Sequence, residues 1–219
     1  SQYRDQCIGV HGQMICLSFH ETKNIISGEG GALLINDPAV IERAEIIREK
    51  GTNRSQYFRG QVDKYTWVDV GSSYLPSDIL AAFLYAQMEN AEQIIAKRNL
   101  IFDQYMEGLR PLADTGRIRL PLVIEDSRCN GHLFYIVTQS LKERTELISF
   151  LAQRGIYAVF HYVPLHTSPA GRRFGRVHGS LKVTEAFSDC LLRLPLYYEM
   201  MQEDVQRVIS TIEDFYRQG

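Results

Sequence analysis

Two apolar runs of strand length, QMICLSF (13–19) and GALLIN (31–36), flank a polar connection that ends in glycines, and a helical pattern follows at once. Runs this short, bounded by turn residues, read as neighbouring buried strands. In DPAVIERAEIIREKG (37–51), Asp37 caps, Pro38 takes the first turn, Val40, Ala44 and Ile47 share a face, and Gly51 stops the helix. Residues 51–75 fit neither period and read as a long functional or interface loop. From Ser77 to Leu109 apolar residues recur at steps of three and four, with a bend expected at Asn90 and an end at Pro111. Beyond it, IRLP, HLFYIV and IYAVF read as strands, and LKERTELISFLAQRG and TEAFSDCLLRL as helices. A last helix, EDVQRVISTIEDFY, has Val205, Val208, Ile212 and Phe215 on one face. Strands alternating with helices make the fold class α/β, and the boundary expected inside the long helix divides the chain into 1–90 and 91–219.

A chain of 219 residues with 45% hydrophobic content can bury a core. Its net charge of −2 and pI near 6.3 argue against the cationic face of a nucleic-acid or anionic-membrane binder, so neither partner is expected. Its longest apolar stretches, such as AAFLYA, fall far short of the roughly 18 residues a membrane span needs. Cys7, Cys16, Cys129 and Cys190 form no C-x-x-C pair and read as buried or idle thiols, which fits a reducing cytoplasm. The first residue is Ser1, so the chain is expected to begin partway through a longer protein.

Several candidate sites weaken on inspection. GEGGAL lacks the third glycine of a dinucleotide fingerprint and the ending of a P-loop, so Gly28, Gly30 and Gly31 read as a tight turn. His161 and His166 in HYVPLH are five apart with Pro164 between them, which keeps them off a common helical face, and no metal site is expected. They are either structural histidines or part of a loop that hydrogen-bonds an anionic or sugar ligand. Ser18 has no G-x-S-x-G context, although its hydroxyl suits a phosphate. Lys23 stands apart. Alone, a loop lysine is a solvated charge. At the mouth of a strand, among Ser18, His20 and Thr22, its amine can be desolvated and its proton loosened, which is what bonding to an aldehyde cofactor requires.

SFHETKN with GEGGALLIND, the stretch RAEIIREKGTNRSQYFRGQVDKYTWVDVGSSYLPSDILAAFLYAQM, and the later AVFHYVPLHTSPAG and LLRLPLYY closely resemble the DegT-like branch of the pyridoxal-phosphate sugar aminotransferases. The resemblance implies an aspartate-aminotransferase-like fold: the end of a cofactor-binding large domain followed by a small C-terminal domain. It implies pyridoxal 5'-phosphate as cofactor, with Lys23 as its covalent attachment point and as the base that moves protons in both half-reactions. It implies that glutamate gives its amino group to carbon 4 of a 4-keto-6-deoxy sugar nucleotide. Ser18 matches the serine that holds the cofactor phosphate. Ser73 stands where relatives commonly place an asparagine that reaches the other subunit's phosphate in a homodimer. His166, with His161 and Tyr162, matches the segment beside the sugar nucleotide, and Arg59 in YFRG is a candidate for its phosphates because a guanidinium suits them bidentately.

In that family the aspartate that pairs with the pyridine nitrogen, a glycine-rich phosphate turn and an aromatic on the ring all precede the lysine by many residues. Too few residues precede Lys23 here to hold them, so the chain is expected to be the C-terminal portion of an enzyme, with little activity by itself. The sugar dehydratase branch of the fold replaces this lysine with histidine, which Lys23 argues against. A truncated scaffold that keeps the fold without chemistry is the rival from another class.

Overall fold

The computed structural model describes residues 1–218, which divide into two compact units, one of residues 1–94 with 126–128 and the other of residues 95–125 with 129 onward. In the first unit, β1 (Gln2–Tyr3) lies between β2 (Gln6–Cys7) and β5 (Ser127–Arg128), both antiparallel to it. A separate antiparallel hairpin pairs β3 (Met14–Ser18) with β4 (Gly31–Ile35), in register from Met14 opposite Ile35 to Ser18 opposite Gly31. These are the two neighbouring strands expected from the opening apolar runs, but they are not buried: only Ile15, Ala32 and Ile35 are partly covered, because little packs on the hairpin's faces.

Asp37 accepts a hydrogen bond from the Ala39 amide at 2.9 Å, as an N-cap does, but Pro38–Val40 wind as a 3-10 turn before α1 (Ile41–Arg48) begins. Gly51, at φ +72°, turns the chain away. A Cβ there would stand 1.7 Å from the Asp69 carbonyl oxygen, so the position tolerates only glycine. The stretch expected to be a loop contains a short helix, α2 (Arg54–Phe58); Gln56 within it and Arg59 at its end bond back to Glu42 and Glu45 of α1 and so stabilise a turn that periodicity alone does not reveal. Ser77 caps α3 (Asp78–Glu89), and the chain bends at Asn90 into α4 (Ala91–Gly108). Pro111 does not end a helix; it sits in the first turn of a short one, α5 (Arg110–Asp114), where its missing N–H costs nothing.

In the second unit an antiparallel sheet has the order β6 (Phe134–Val137), β8 (Leu191–Leu194), β7 (Val159–Phe160). Around it run α6 (Leu141–Ala152), α7 (Pro169–Phe174), α8 (Lys182–Cys190) and α9 (Gln202–Gln218). LLRL is the central strand, not the tail of a helix. Leu192 and Leu194 are buried while Leu191 and Arg193 are only partly covered, a period of two that fits a pleat. IRLP contributes a single bridge, Arg119 opposite Val137, and IYAVF only its last two residues.

The hydrophobic core lies in this second unit. Ile101 and Tyr105 of α4, with Leu109 just past its end, meet Phe134 and Ile136 of β6, Leu147 and Leu151 of α6, and Val205, Val208 and Ile212 of α9. The buried Tyr105 hydroxyl donates to the Pro195 carbonyl at 2.9 Å, which satisfies the one polar group that side chain brings inside. The first unit by contrast leaves Leu17, Leu33 and Leu34 of its hairpin exposed, together with Trp67 and Ile79. No helix among the described residues is long and apolar enough to cross a membrane.

Candidate functional site

The β3–β4 connection is closed by its own backbone. Phe19 N–H donates to the Gly30 carbonyl at 2.9 Å, Ser27 N–H to Phe19 at 2.8 Å, Glu21 N–H to Gly28 at 2.9 Å and Lys23 N–H to His20 at 2.9 Å. Glycine is required at its exit: Gly30 has φ +147°, and a Cβ on Gly31 would meet the Leu17 carbonyl at 2.7 Å. Ser27, buried beneath the turn, donates its hydroxyl to the Glu29 carbonyl at 2.7 Å.

Ser18 ends β3, where its Oγ accepts the His20 amide at 3.4 Å. His20 is fixed in turn, because Thr22 N–H donates to its Nδ1 at 3.2 Å while Nε2 lies 3.7 Å from the Glu29 carboxylate. Lys23 rises from this frame and is exposed. The sequence reading asks for a desolvated amine, and residues 1–218 of a single chain do not supply that desolvation. The hairpin that carries it is itself open, with Leu17, Leu33 and Leu34 exposed. The hairpin end nevertheless carries an amine suited to an aldehyde and a hydroxyl suited to a phosphate, so its donor set fits a cofactor bearing both groups. Beside the loop, Phe19, Ser27, Gly31, Leu80, Leu84 and Met88 line a mostly apolar hollow of about 260 Å³.

Arg59 and Ser73 belong to the surface around α1. The Arg59 guanidinium forks onto Glu45 at 2.8 and 2.6 Å, and its Nε donates to Gln61 at 3.3 Å. That bond to Arg59 holds the Glu45 carboxyl below its ordinary range. The bidentate geometry expected for a phosphate is thus satisfied by a neighbouring acid. Arg54 likewise bonds the buried Glu49 at 2.7 Å, and Arg43 pairs with Asp69. Ser73 is bridged to Glu49 and exposed, held between the amide of Lys50, which donates to Ser72 at 3.0 Å, and that of Tyr74, which donates to Arg48 at 3.0 Å.

In the second unit, His161, Tyr162 and His166 follow β7. The His161 and Tyr162 rings stand 5.5 Å apart, and the Arg193 guanidinium lies 5.4 Å from the Tyr162 ring centre. Partial desolvation, then repulsion from Arg193, lowers the His161 pKa, favouring the neutral ring. His166 lies largely covered, with Nε2 at 3.0 Å from Glu185 Oε1. Ser188 donates its hydroxyl to the Tyr162 carbonyl at 2.9 Å. A hollow of about 420 Å³ opens here among Arg144, Phe160, Val163, Thr167, Glu185 and Ser188. Sequence reasoning passes over Glu185 and Ser188; the available signal is a polar pair three residues apart on the helix TEAFSDC, the second helix after HYVPLH. Cys7, Cys16 and Cys129 are exposed rather than buried, and all four thiols are free.

The model of the DegT/DnrJ/EryC1/StrS aminotransferases matches residues 1–213. Among curated proteins, the chain is 30% identical over 217 residues to the dTDP-3-amino-3,4,6-trideoxy-alpha-D-glucose transaminase of Streptomyces venezuelae, covering 98% of this chain and 53% of that one. Among solved structures, DesV of S. venezuelae superposes with a TM-score of 0.83 at 30% identity, over 97% of this chain and 54% of that one. Spr1654 of Streptococcus pneumoniae, solved in a PMP form, superposes at 0.82 with 23% identity, over 99% and 56%. That likeness is one of fold. The chain spans about half the length of the curated relatives it matches.

Proposed function

Because the chain belongs to the DegT/DnrJ/EryC1/StrS aminotransferase family, we propose that it is the lysine-bearing portion of a pyridoxal-phosphate-dependent sugar-nucleotide aminotransferase that takes its amino group from glutamate. The observation that carries this reading is the hairpin end, where glycines, Ser27 and His20 hold the backbone so that Ser18 and Lys23 stand on one connection. Pyridoxal phosphate, when bound, supplies the electron sink of the reaction. Lys23 Nζ is the attachment point; it takes a proton from the amino acid's alpha carbon and delivers one to the sugar carbon that receives nitrogen. Ser18 Oγ donates to the cofactor phosphate, and Ser73 reaches the phosphate in a second subunit. His166, His161 and Tyr162 meet the sugar nucleotide. Arg59 is assigned to its phosphates only if it exchanges Glu45 for them.

The finer reading is conversion of dTDP-4-dehydro-6-deoxy-glucose to dTDP-4-amino-4,6-dideoxygalactose in a lipopolysaccharide-related route, enterobacterial common antigen synthesis. The likeness of the lysine block and the HYVPLH segment supports it. A homodimer is supported by the uncovered Trp67, Val70, Tyr74 and Ile79, and a cytoplasmic location by four free thiols. The exposed Lys23 favours one rival, a piece that keeps the fold but has no chemistry of its own.

Incubating the chain with pyridoxal phosphate, nitrogen-labelled glutamate and dTDP-4-dehydro-6-deoxy-glucose tests the reading. We expect trace transfer at most, with the label on carbon 4 and none in Lys23→Ala. Turnover at a full-length relative's rate contradicts the proposed dependence on further residues. Label on another carbon contradicts the substrate, and transfer by Lys23→Ala removes the lysine from the chemistry.

A further inference from the structure

We propose that Glu185 is a positioning residue, which fixes the His166 ring so that Nδ1 is the nitrogen offered to a sugar nucleotide, while Ser188 holds the backbone beside it. The proposal rests on the reading of residues 161–166 as a sugar-nucleotide segment. A carboxylate only accepts hydrogen bonds, so the 3.0 Å contact between Glu185 Oε1 and His166 Nε2 requires the proton on Nε2. The other ring nitrogen is then the one left for a ligand. With a side chain only 16% exposed, His166 has little freedom to turn over.

The two anchors come from one helix face. Glu185 stands in the first turn of α8, where the helix dipole favours a carboxylate. Three residues on, and therefore on the same face, Ser188 bonds the Tyr162 carbonyl. Tyr162 has φ +22°, a backbone state that a bulky residue keeps only where its surroundings hold it. The Ser188 bond supplies that hold. Thr167 Oγ1 donates to the Pro164 carbonyl at 2.9 Å and closes the far end of the loop. Glu185, Ser188 and Thr167 all line the same hollow, together with Asp189 and Arg144, whose Nε donates to the Asp189 carbonyl at 3.0 Å. The fixed histidine, the strained tyrosine and the hollow thus share one support.

Calorimetric titration of the full chain with dTDP-glucose, paired with nitrogen-detected NMR of the histidine rings, tests this. Glu185→Ala is expected to weaken binding by about tenfold, the scale of a lost charge-assisted hydrogen bond, and Glu185→Gln, whose amide oxygen still accepts, to stay within about threefold. His166→Ala is expected to add nothing in the Glu185→Ala background, because the two act as one unit. The His166 Nε2–H signal should persist in Glu185→Gln and vanish by exchange with water in Glu185→Ala. Additive losses, or a ring signal that survives Glu185→Ala, overturn the proposal. If the unaltered chain binds no dTDP-glucose while the ring signal still follows Glu185, the sugar-nucleotide reading of the segment falls and the hold on the ring stands.

Discussion

At Tyr216 a phenol hydroxyl donates to Glu143 Oε1 at 2.5 Å inside the second unit. Burial, reinforced by that bond to Glu143, pushes its ionisation well above the ordinary phenol range. An unfolded tyrosine ionises at about 10, so the native state keeps a proton that the unfolded state has lost. The contribution is therefore complete below about pH 10 and declines as pH rises toward the native value. Denaturant midpoints measured through this range should fall more steeply for the unaltered chain than for Tyr216→Phe; parallel slopes would contradict it. The same contrast separates the site residues that sequence could reach from those it could not. Lys23 and Ser18 are legible because a local run of residues and glycines defines their setting. The engagement of Arg59 with Glu45 and of His166 with Glu185 joins residues 14 and 19 positions apart, and no local pattern carries such pairings.

Among the elements, α9 is the most legible, since Val205, Val208 and Ile212 recur at helical spacing and all three are buried. Ile212→Ala should cost about 2–5 kcal/mol in urea unfolding, because the space it leaves is enclosed by core side chains. Leu122→Ala, at an exposed position of the second unit, should stay within about 0.5 kcal/mol. Equal costs would show that the core is misassigned. Where elements were misread, the local signal was ambiguous. LLRL follows a helix without an intervening glycine, so only pairing with β6 and β7 on either side makes it a strand. In α1 the 3.6-residue period is present, yet Ile47 stays exposed, so the period specifies the helix but not what covers it.

On the scale of the whole molecule, burial is unequal. The second unit holds the hydrophobic core, and the first sets a two-stranded hairpin in solvent, an arrangement that is marginal in water. Amide hydrogen exchange should therefore be far faster in Met14–Ser18 than in Phe134–Val137, and comparable protection in both would contradict the account. The exposed leucines of the hairpin belong to the same inequality: an amine whose chemistry depends on losing water sits in the less covered unit. The α/β class was legible because strand and helix periods alternate along the chain, whereas coverage of the apolar faces is a property of whatever packs on them.

The central claim is that Lys23 is the group to which an aldehyde cofactor bonds. Borohydride reduction of the chain with equimolar pyridoxal phosphate, followed by peptide mass mapping, measures this directly. The account predicts a reduced adduct concentrated on Lys23 and absent from Lys23→Ala. An adduct spread evenly over Lys50, Lys64, Lys97 and Lys142, or found on these and not on Lys23, would contradict it.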